Sequence, residues 1–177
     1  MNGAPEVRDG VASDAVVSPC GRYRYLLTRT WDPARPAVGF VMLNPSTADH
    51  RTDDATVRRC VGFARVRGFG EVRVANLFAL RASDPTVLLD TVAAGSDPVG
   101  PENPAHLRAL AAEHTVVLAW GANAAAVHGA DYPRVVAAEL ATGSAVLYCL
   151  GRCADGSPRH PLYLAGDTAL MPWRAGP

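Results

Sequence analysis

The sequence has no excess of charge of either sign. Lys and Arg together number 17, Asp and Glu together also number 17, and the formal net charge of the 177 residues is therefore zero. Proteins that bind long nucleic acids by neutralising phosphates are usually basic. The balance favours a small ligand over DNA as the partner, although a local basic patch can be hidden in an average of zero.

The sequence also lacks the patterns that mark metal, cofactor and membrane proteins. Its four cysteines, Cys20, Cys60, Cys149 and Cys153, include no CxxC pair, and its histidines lack the spacing of a metal site. Neither "GANAAA" nor "GRCADG" matches a phosphate-binding loop or a dinucleotide fingerprint. No apolar run is long enough for a bilayer, and the first residues lack a signal-peptide pattern. We therefore expect a cytoplasmic protein with no metal, no cofactor and no membrane partner.

What the sequence does contain is a series of apolar segments that alternate with helical ones. Residues 1–14 are polar and are expected to form a flexible tail, and residues 15–177 are expected to form a single α/β domain. The predicted strands are "RYRYLLTRTW", with Tyr23, Tyr25 and Leu27 on one face, "AVGFVML", "EVRVANLFAL", "TVVLAW" and "AVLYCLG". Helical segments between them predict a three-layer sandwich with a mainly parallel central sheet and helices on both faces.

Polar residues gather directly after these predicted strands. Asn44 to Asp49 follow the second strand, and Asn76 and Arg81 lie in or after the third. Trp120 and Asn123 follow the fourth, and Arg152 to His160 follow the last. In open α/β sheets, ligands bind beyond the carboxyl ends of the strands. The pattern predicts one pocket at one edge of the sheet.

Two family resemblances bear on this pocket. The stretch "FVMLNPSTADHRTDDATVRRCVGFARVRGFGEVRVANLFALRASDP", with "VVLAWGANA" and "GSPRHPLYL", resembles the family of unknown function DUF1643. The order of motifs is also similar to the uracil-DNA glycosylase superfamily: "MLNPS" resembles its first motif at Asn44 and Pro45, "VANLFALR" offers Asn76 as the residue that reads the base, and "RHPLY" offers His160. Ser46 and Leu162 depart from those motifs. The second resemblance implies a glycosylase-like fold and cleavage of an N-glycosidic bond.

Each role also has a physical basis. Base removal produces an oxocarbenium-like sugar and an anionic leaving base. Asn44 can hold a water through its carbonyl, and Asp49, Asp53 or Asp54 could act as the general base. His160 could stabilise the departing base, and Asn76 offers the donor and acceptor that a pyrimidine edge requires. The remaining candidates for ligand binding are Pro45, Ser46, Thr47, Arg58, Arg81, Trp120 and Arg152, with the arginines as clamps for a phosphate or carboxylate.

Structural explanations stand beside these roles. Asn44 and Ser46 could cap a turn, Asp53 or Asp54 could cap a helix, and Trp120 could belong to the core. Two classes of function therefore remain open: a hydrolase that releases a base from a nucleotide, nucleoside or DNA, and a protein that binds a nucleotide or another small ligand without cleaving it, or that performs unrelated chemistry in the same cleft.

Overall fold

The computed structural model describes residues 6–46, 52–82, 84–113, 115–129 and 131–174. The strands within these ranges are β1 (Glu6–Arg8), β2 (Val11–Val17), β3 (Arg24–Thr30), β4 (Ala37–Met42), β5 (Glu71–Asn76), β6 (Thr115–Leu118), β7 (Leu147–Cys149) and β8 (Met171–Pro172). The helices are α1 (Ala55–Arg65), α2 (Pro85–Ala93), α3 (Asn103–Glu113), α4 (Ala124–His128) and α5 (Asp131–Ala141), with a 3₁₀ turn at Pro161–Tyr163.

The described strands form one mixed sheet in the order β1-β2-β3-β5-β4-β6-β7-β8. The pairs β5–β4, β4–β6 and β6–β7 are parallel, and the other four pairs are antiparallel. The α/β class is therefore observed, but the expected mainly parallel, glycosylase-like sheet is not confirmed. The parallel order is confined to the centre, because β1, β2 and β3 follow one another through short turns, and short turns join antiparallel strands.

A β-hairpin replaces much of the flexible tail that we expected over residues 1–14. Arg8 pairs with Val11, so Asp9 and Gly10 form a two-residue loop, and both have positive φ angles of 49° and 75°. Two central residues with positive φ are the mark of the type I′ turn, for which Asp-Gly is a preferred sequence. β2 then pairs with β3 along its length, and the described part of the expected tail thus extends the sheet.

We expected Tyr23, Tyr25 and Leu27 to lie on one face of their strand, but a bulge in β3 changes their arrangement. The register with β2 shifts where Val16 pairs with Leu26 and Val17 with Arg24, which leaves Tyr25 without a partner. The Tyr25 ring stacks on His106 of α3, whereas Leu27 packs in the cluster that contains α1. An extra residue in one strand re-aims the side chains on either side of it, and the two side chains therefore lie on opposite faces of the sheet.

Helices cover both faces of the sheet. On one face, Val57 and Phe63 of α1 pack with Phe40 and Val74. On the other face, the cluster is completed by side chains from the remaining helices: Leu88 of α2, Leu110 of α3, Val127 of α4 and Leu140 of α5. Among the described helices, none has the length and apolar character that a membrane crossing requires.

The order in which the chain adds strands to the sheet changes direction at β4. β5 lies on one side of β4 and β6 lies on the other, and α1 and α3, which connect these strands, lie on opposite faces. The separated connections leave a crevice at the carboxyl end of β4, which is the usual ligand position in such sheets. Asn44 is the second residue after this strand end.

Candidate functional site

A cleft of about 450 Å³ lies at this switch point. Its lining includes six of the candidate site residues that the sequence singles out: Asn44, Ser46, Asp54, Asn76, Trp120 and His160. A volume of this size is within the range of pockets that hold small-molecule ligands. The structure thus brings together residues that are separated by more than a hundred positions in the chain, as the positions of the strand ends predict.

Asn76 is the most constrained polar residue of the cleft. It ends β5 on the same face as Val72 and Val74, because side chains alternate along a strand. Only 2% of its surface is exposed, and its Oδ1 has no hydrogen-bond partner among the described residues. Asn103, which is fully buried in α3, donates from Nδ2 to the carbonyls of Asn76 and Leu77 at 2.9 and 3.0 Å. The backbone of Asn76 is therefore fixed while its side-chain acceptor remains unsatisfied.

Asn44 holds the turn after β4 in place through its amide nitrogen. Nδ2 donates to the carbonyl of Ala82 at 2.9 Å and to that of Pro45 at 3.2 Å. The Pro45 carbonyl also accepts from the backbone N–H of Ala82 at 2.9 Å, and Pro45 itself does not line the cleft. The side-chain nitrogen of Asn44 donates both of its hydrogens to backbone carbonyls. Its side-chain oxygen is therefore left to accept a hydrogen bond from a water.

Asp54 joins the cleft to the start of α1. It is the N-cap of that helix, and its Oδ1 accepts from the backbone N–H of Val57 at 2.7 Å. The hydroxyl of Ser46 lies in hydrogen-bond contact with Oδ2. The capping role that the sequence allowed for this residue is confirmed, and Asp54 also lines the cleft with Ser46. Asp53 instead pairs with the buried guanidinium of Arg29 at 2.7 Å and is not part of the lining.

A backbone hydrogen bond orients the imidazole of His160 so that its other ring nitrogen can donate a hydrogen bond. Its Nδ1 accepts from the backbone N–H of Leu162 at 3.3 Å, which assigns the proton of the neutral ring to Nε2. Burial lowers the pKa of His160 below its usual value, and the negative charge of Asp54 partly offsets this by raising it. Gly121, with a φ of 78°, packs beside the Cβ of His160, since a Cβ added to this glycine would lie 3.6 Å away.

Trp120 serves the core as well as the cleft. It is 3% exposed, belongs to the hydrophobic cluster of α2–α5, and meets the ring of Trp173 edge-on with 6.2 Å between centroids. Its position in the lining leaves a small part of the ring for ligand contact. The structural role that the sequence allowed for this tryptophan is therefore observed, and a contact with ligand stays a prediction.

The three arginines predicted as clamps lie outside the cleft. Arg58 donates to the carbonyl of Asp53 at 2.6 Å, and Arg81 donates to that of Gly21 at 3.3 Å. Arg152 stacks over Trp173, with its guanidinium carbon 3.9 Å from the ring centroid. Each of these guanidinium groups contacts neighbouring residues, and a role for them in ligand binding stays a prediction. Two further predicted residues, Thr47 and Asp49, lie outside the described residues.

Two other arginines line the cleft, and neither of them was assigned a role from the sequence. Arg24 is 3% exposed and lines the cleft from the first position of β3, and Arg159 lines it from the loop after β7. β3 runs antiparallel to β5, so its amino end lies at the carboxyl edge of the parallel strands. The bulge at Tyr25 then aims Arg24 at the face that carries Val74 and Asn76. Tyr163, which is 81% exposed, and Asn123 complete this rim.

The described part of the chain holds no group of three His, Cys, Asp or Glu side chains that could bind a metal ion. The described side chains that line the cleft offer amides, one carboxylate, one imidazole, two guanidinium groups, the hydroxyls of Ser46, Thr56 and Tyr163, and the thiol of Cys153.

The model of the family DUF1643, described as a protein of unknown function, matches residues 24–162. No curated protein and no solved structure was found to match the chain. The matched segment contains every cleft residue described above except Tyr163. The resemblance to uracil-DNA glycosylases is not supported by these comparisons, and the motifs behind it carry no weight beyond the geometry of their residues.

Proposed function

Because this chain belongs to the DUF1643 family, whose description assigns no activity, we propose a function from the cleft alone: it binds a nucleobase in a small molecule and hydrolyses the N-glycosidic bond. The observation that carries the proposal is that a buried, unsatisfied amide (Asn76), a neutral imidazole donor (His160) and a carboxylate (Asp54) line the same cleft. The reaction requires three things of the protein: recognition of the base edge, stabilisation of the departing base, and activation of a water.

Asn76 recognises the edge of the base. A buried amide oxygen without a hydrogen bond costs free energy, and the cost disappears when a donor enters. The ring N–H or exocyclic amine of a nucleobase is such a donor, and the carboxamide of Asn76 can also donate to a neighbouring carbonyl of the base. Since Asn103 fixes the backbone beneath Asn76, little ordering of the protein accompanies binding.

His160 stabilises the departing base. When the bond between the base nitrogen and the sugar breaks, the electron pair goes to the base, and negative charge develops on it. The Nε2–H of a neutral His160 can donate to that charge, and such a preorganised donor typically contributes about a hundredfold or more in rate. The bond from Leu162 to Nδ1 keeps the proton on Nε2 for this task.

Asp54 and Asn44 activate and position the water. The water adds its oxygen to the anomeric carbon and gives a proton to the carboxylate of Asp54, from which the proton reaches the anionic base. The same carboxylate also stabilises the positive charge on the sugar in the transition state. The free carbonyl of Asn44 can hold the water, because its amide nitrogen is already bonded to Ala82 and Pro45.

The test is an incubation of the protein with the common nucleosides, nucleoside monophosphates and uracil-containing DNA, followed by chromatography for free base. We expect base release from at least one substrate, with His160→Asn and Asp54→Asn each about a hundredfold slower or more. Arg81→Gln, which removes an exposed charge outside the cleft, is the matched control and should leave the rate unchanged. Asn76→Ala should reduce discrimination between bases.

Two results would contradict the proposal. Release of no base from the whole panel, while a nucleotide still binds in the cleft, would assign the protein to the class that binds without cleaving. Release that persists at the wild-type rate in both His160→Asn and Asp54→Asn would place the chemistry elsewhere or in a contaminating enzyme.

A further inference from the structure

Among the described residues, those that line the cleft carry more positive than negative charge, although the whole chain is neutral. Three described lining residues bear a full charge, namely Arg24, Asp54 and Arg159. The carboxylate of Asp54 already accepts hydrogen bonds from Ser46 and from the backbone of Val57. A site of this kind attracts an anion, because low-dielectric walls strengthen the field of its charges.

Arg159 is placed for such an anion by the loop that carries it. Its backbone N–H donates to the carbonyl of Gly151 at 2.9 Å, and Cys153 donates to Ser157 at 2.8 Å, so the loop is closed by hydrogen bonds. Gly151 has a φ of 107°, and a Cβ added there would lie 3.3 Å from Cδ of Arg159. The aliphatic part of Arg159 therefore packs directly on the glycine, which gives the side chain a defined course.

The use of Arg159 differs from that of the other arginine in this loop. The guanidinium of Arg152 stacks on Trp173 and donates to the carbonyls of Gly156 and Arg174. The guanidinium of Arg159 has no hydrogen-bond or ion-pair partner in the part of the chain that the structure describes. Arginine is well suited to bind phosphate, because its planar fork matches two phosphate oxygens.

The positions of the two arginines divide the cleft into two ends. Arg24 stands on β3 beside Asn76, and Arg159 follows β7, with β5, β4 and β6 between these strands. The backbone N–H of Gly121, which follows β6, donates to the carbonyl of Pro158, directly before Arg159, so the two arginines approach the cleft from opposite sides with β5 and β4 between them. The base belongs at the Asn76 end, and an anionic group of the same ligand belongs at the Arg159 end.

We infer that the preferred ligand is a nucleoside monophosphate and that Arg159 binds its phosphate. This inference rests on the proposed function for the base, and it adds the class of substrate: a nucleotide in preference to a nucleoside. The negatively charged phosphate also distinguishes the ligand from a free base, which has no group for the Arg159 end.

Isothermal titration calorimetry tests the inference with the common nucleoside 5′-monophosphates and the matching nucleosides. We expect at least one monophosphate to bind about tenfold more tightly or better than its nucleoside, as one charge-assisted hydrogen bond implies. Arg159→Gln should abolish this preference by weakening the binding of the monophosphate, and Arg159→Lys should retain part of it. Arg81→Gln is again the control, since it removes one exposed charge away from the cleft.

The outcomes separate the inference from the proposed hydrolysis. Equal affinity for nucleosides and monophosphates, a preference that Arg159→Gln leaves intact, or no binding of any monophosphate would overturn the inference. Nucleosides cleaved as fast as monophosphates would also overturn it while the hydrolysis stands. Monophosphates that bind through Arg159 without loss of the base would support the inference and refute the hydrolysis.

Discussion

Asp54 makes two contributions that substitution can separate: it caps α1, and its charge acts on His160. Asp54→Ala removes the cap and the charge together. Asp54→Asn removes the charge but keeps a residue that caps helices about as well as aspartate. The pair of variants therefore distinguishes the structural role of this residue from its electrostatic role in the cleft.

The structure sets the expected sizes. Loss of an N-cap costs about 1 kcal/mol, within a range of roughly 0.5–2, and in a chain of this length each kcal/mol lowers Tm by about 2–4 °C. Asp54→Asn should cost less, about 0.3–1 kcal/mol, because only the interaction of the charge with the helix dipole is lost. The charge of Asp54 raises the pKa of His160 against the larger effect of burial. Both variants should therefore lower that pKa further.

Thermal unfolding measures the first effect, and an NMR titration of the imidazole signals measures the second. The protein has five histidines, so His160→Gln is needed to identify the signal of His160. A pKa of His160 that stays the same in both variants would refute the electrostatic coupling between the two residues. Equal losses of stability in Asp54→Ala and Asp54→Asn would show that the hydrogen bond to Val57 does not stabilise the helix.

Two further predictions concern packing and pH. Gly70→Ala should cost about 3 kcal/mol or more in the free energy of unfolding, because the added Cβ would lie 1.9 Å from the carbonyl oxygen of Asp32. In the control Gly62→Ala, the added Cβ meets no atom within 4 Å, and denaturant titration should show no loss of stability. The pKa of His160 is lowered in the folded state, so the unfolded chain binds more protons, and the stability present above pH 6.5 should fall as the pH drops below it. Denaturant titrations from pH 7.5 to 5 should show a weaker fall in His160→Gln, and equal slopes would contradict the assignment.

The central elements of the fold were accessible from sequence because local patterns determine them. The apolar run at Ala37–Met42 and the helix that begins after Asp54 were both expected where the structure has them. Asn44, Asn76 and His160 were found for the same reason: each lies at or after the end of a strand or in a loop that follows one, and the ends of parallel strands converge. Their convergence required only the order of elements, with no knowledge of side-chain positions.

The antiparallel half of the sheet was not accessible in the same way, although one signal was present. Asp9-Gly10 is a hairpin dipeptide and could have indicated β1 and β2, but the polar composition around it favoured a tail. The role of Arg24 depends on two non-local facts, namely the antiparallel pairing of β3 with β5 and the bulge at Tyr25. Likewise, Arg152 and Arg159 lie in the same loop, and only the position of Trp173 decides which of them is occupied.

The turn after β4 also shows why a capping role and a ligand-binding role are not alternatives here. Asn44 uses its nitrogen for the backbone and keeps its carbonyl for the cleft, and Asp54 caps a helix with the carboxylate that charges the cleft. Structural bonds of this kind hold polar groups in fixed positions, and fixed polar groups are what catalysis and tight binding require. Alanine substitutions in the turn will therefore lower stability and function together, so their effects cannot separate the two roles. The informative changes are those that keep the structural hydrogen bonds and remove only the charge or the donor, as Asp54→Asn and His160→Asn do.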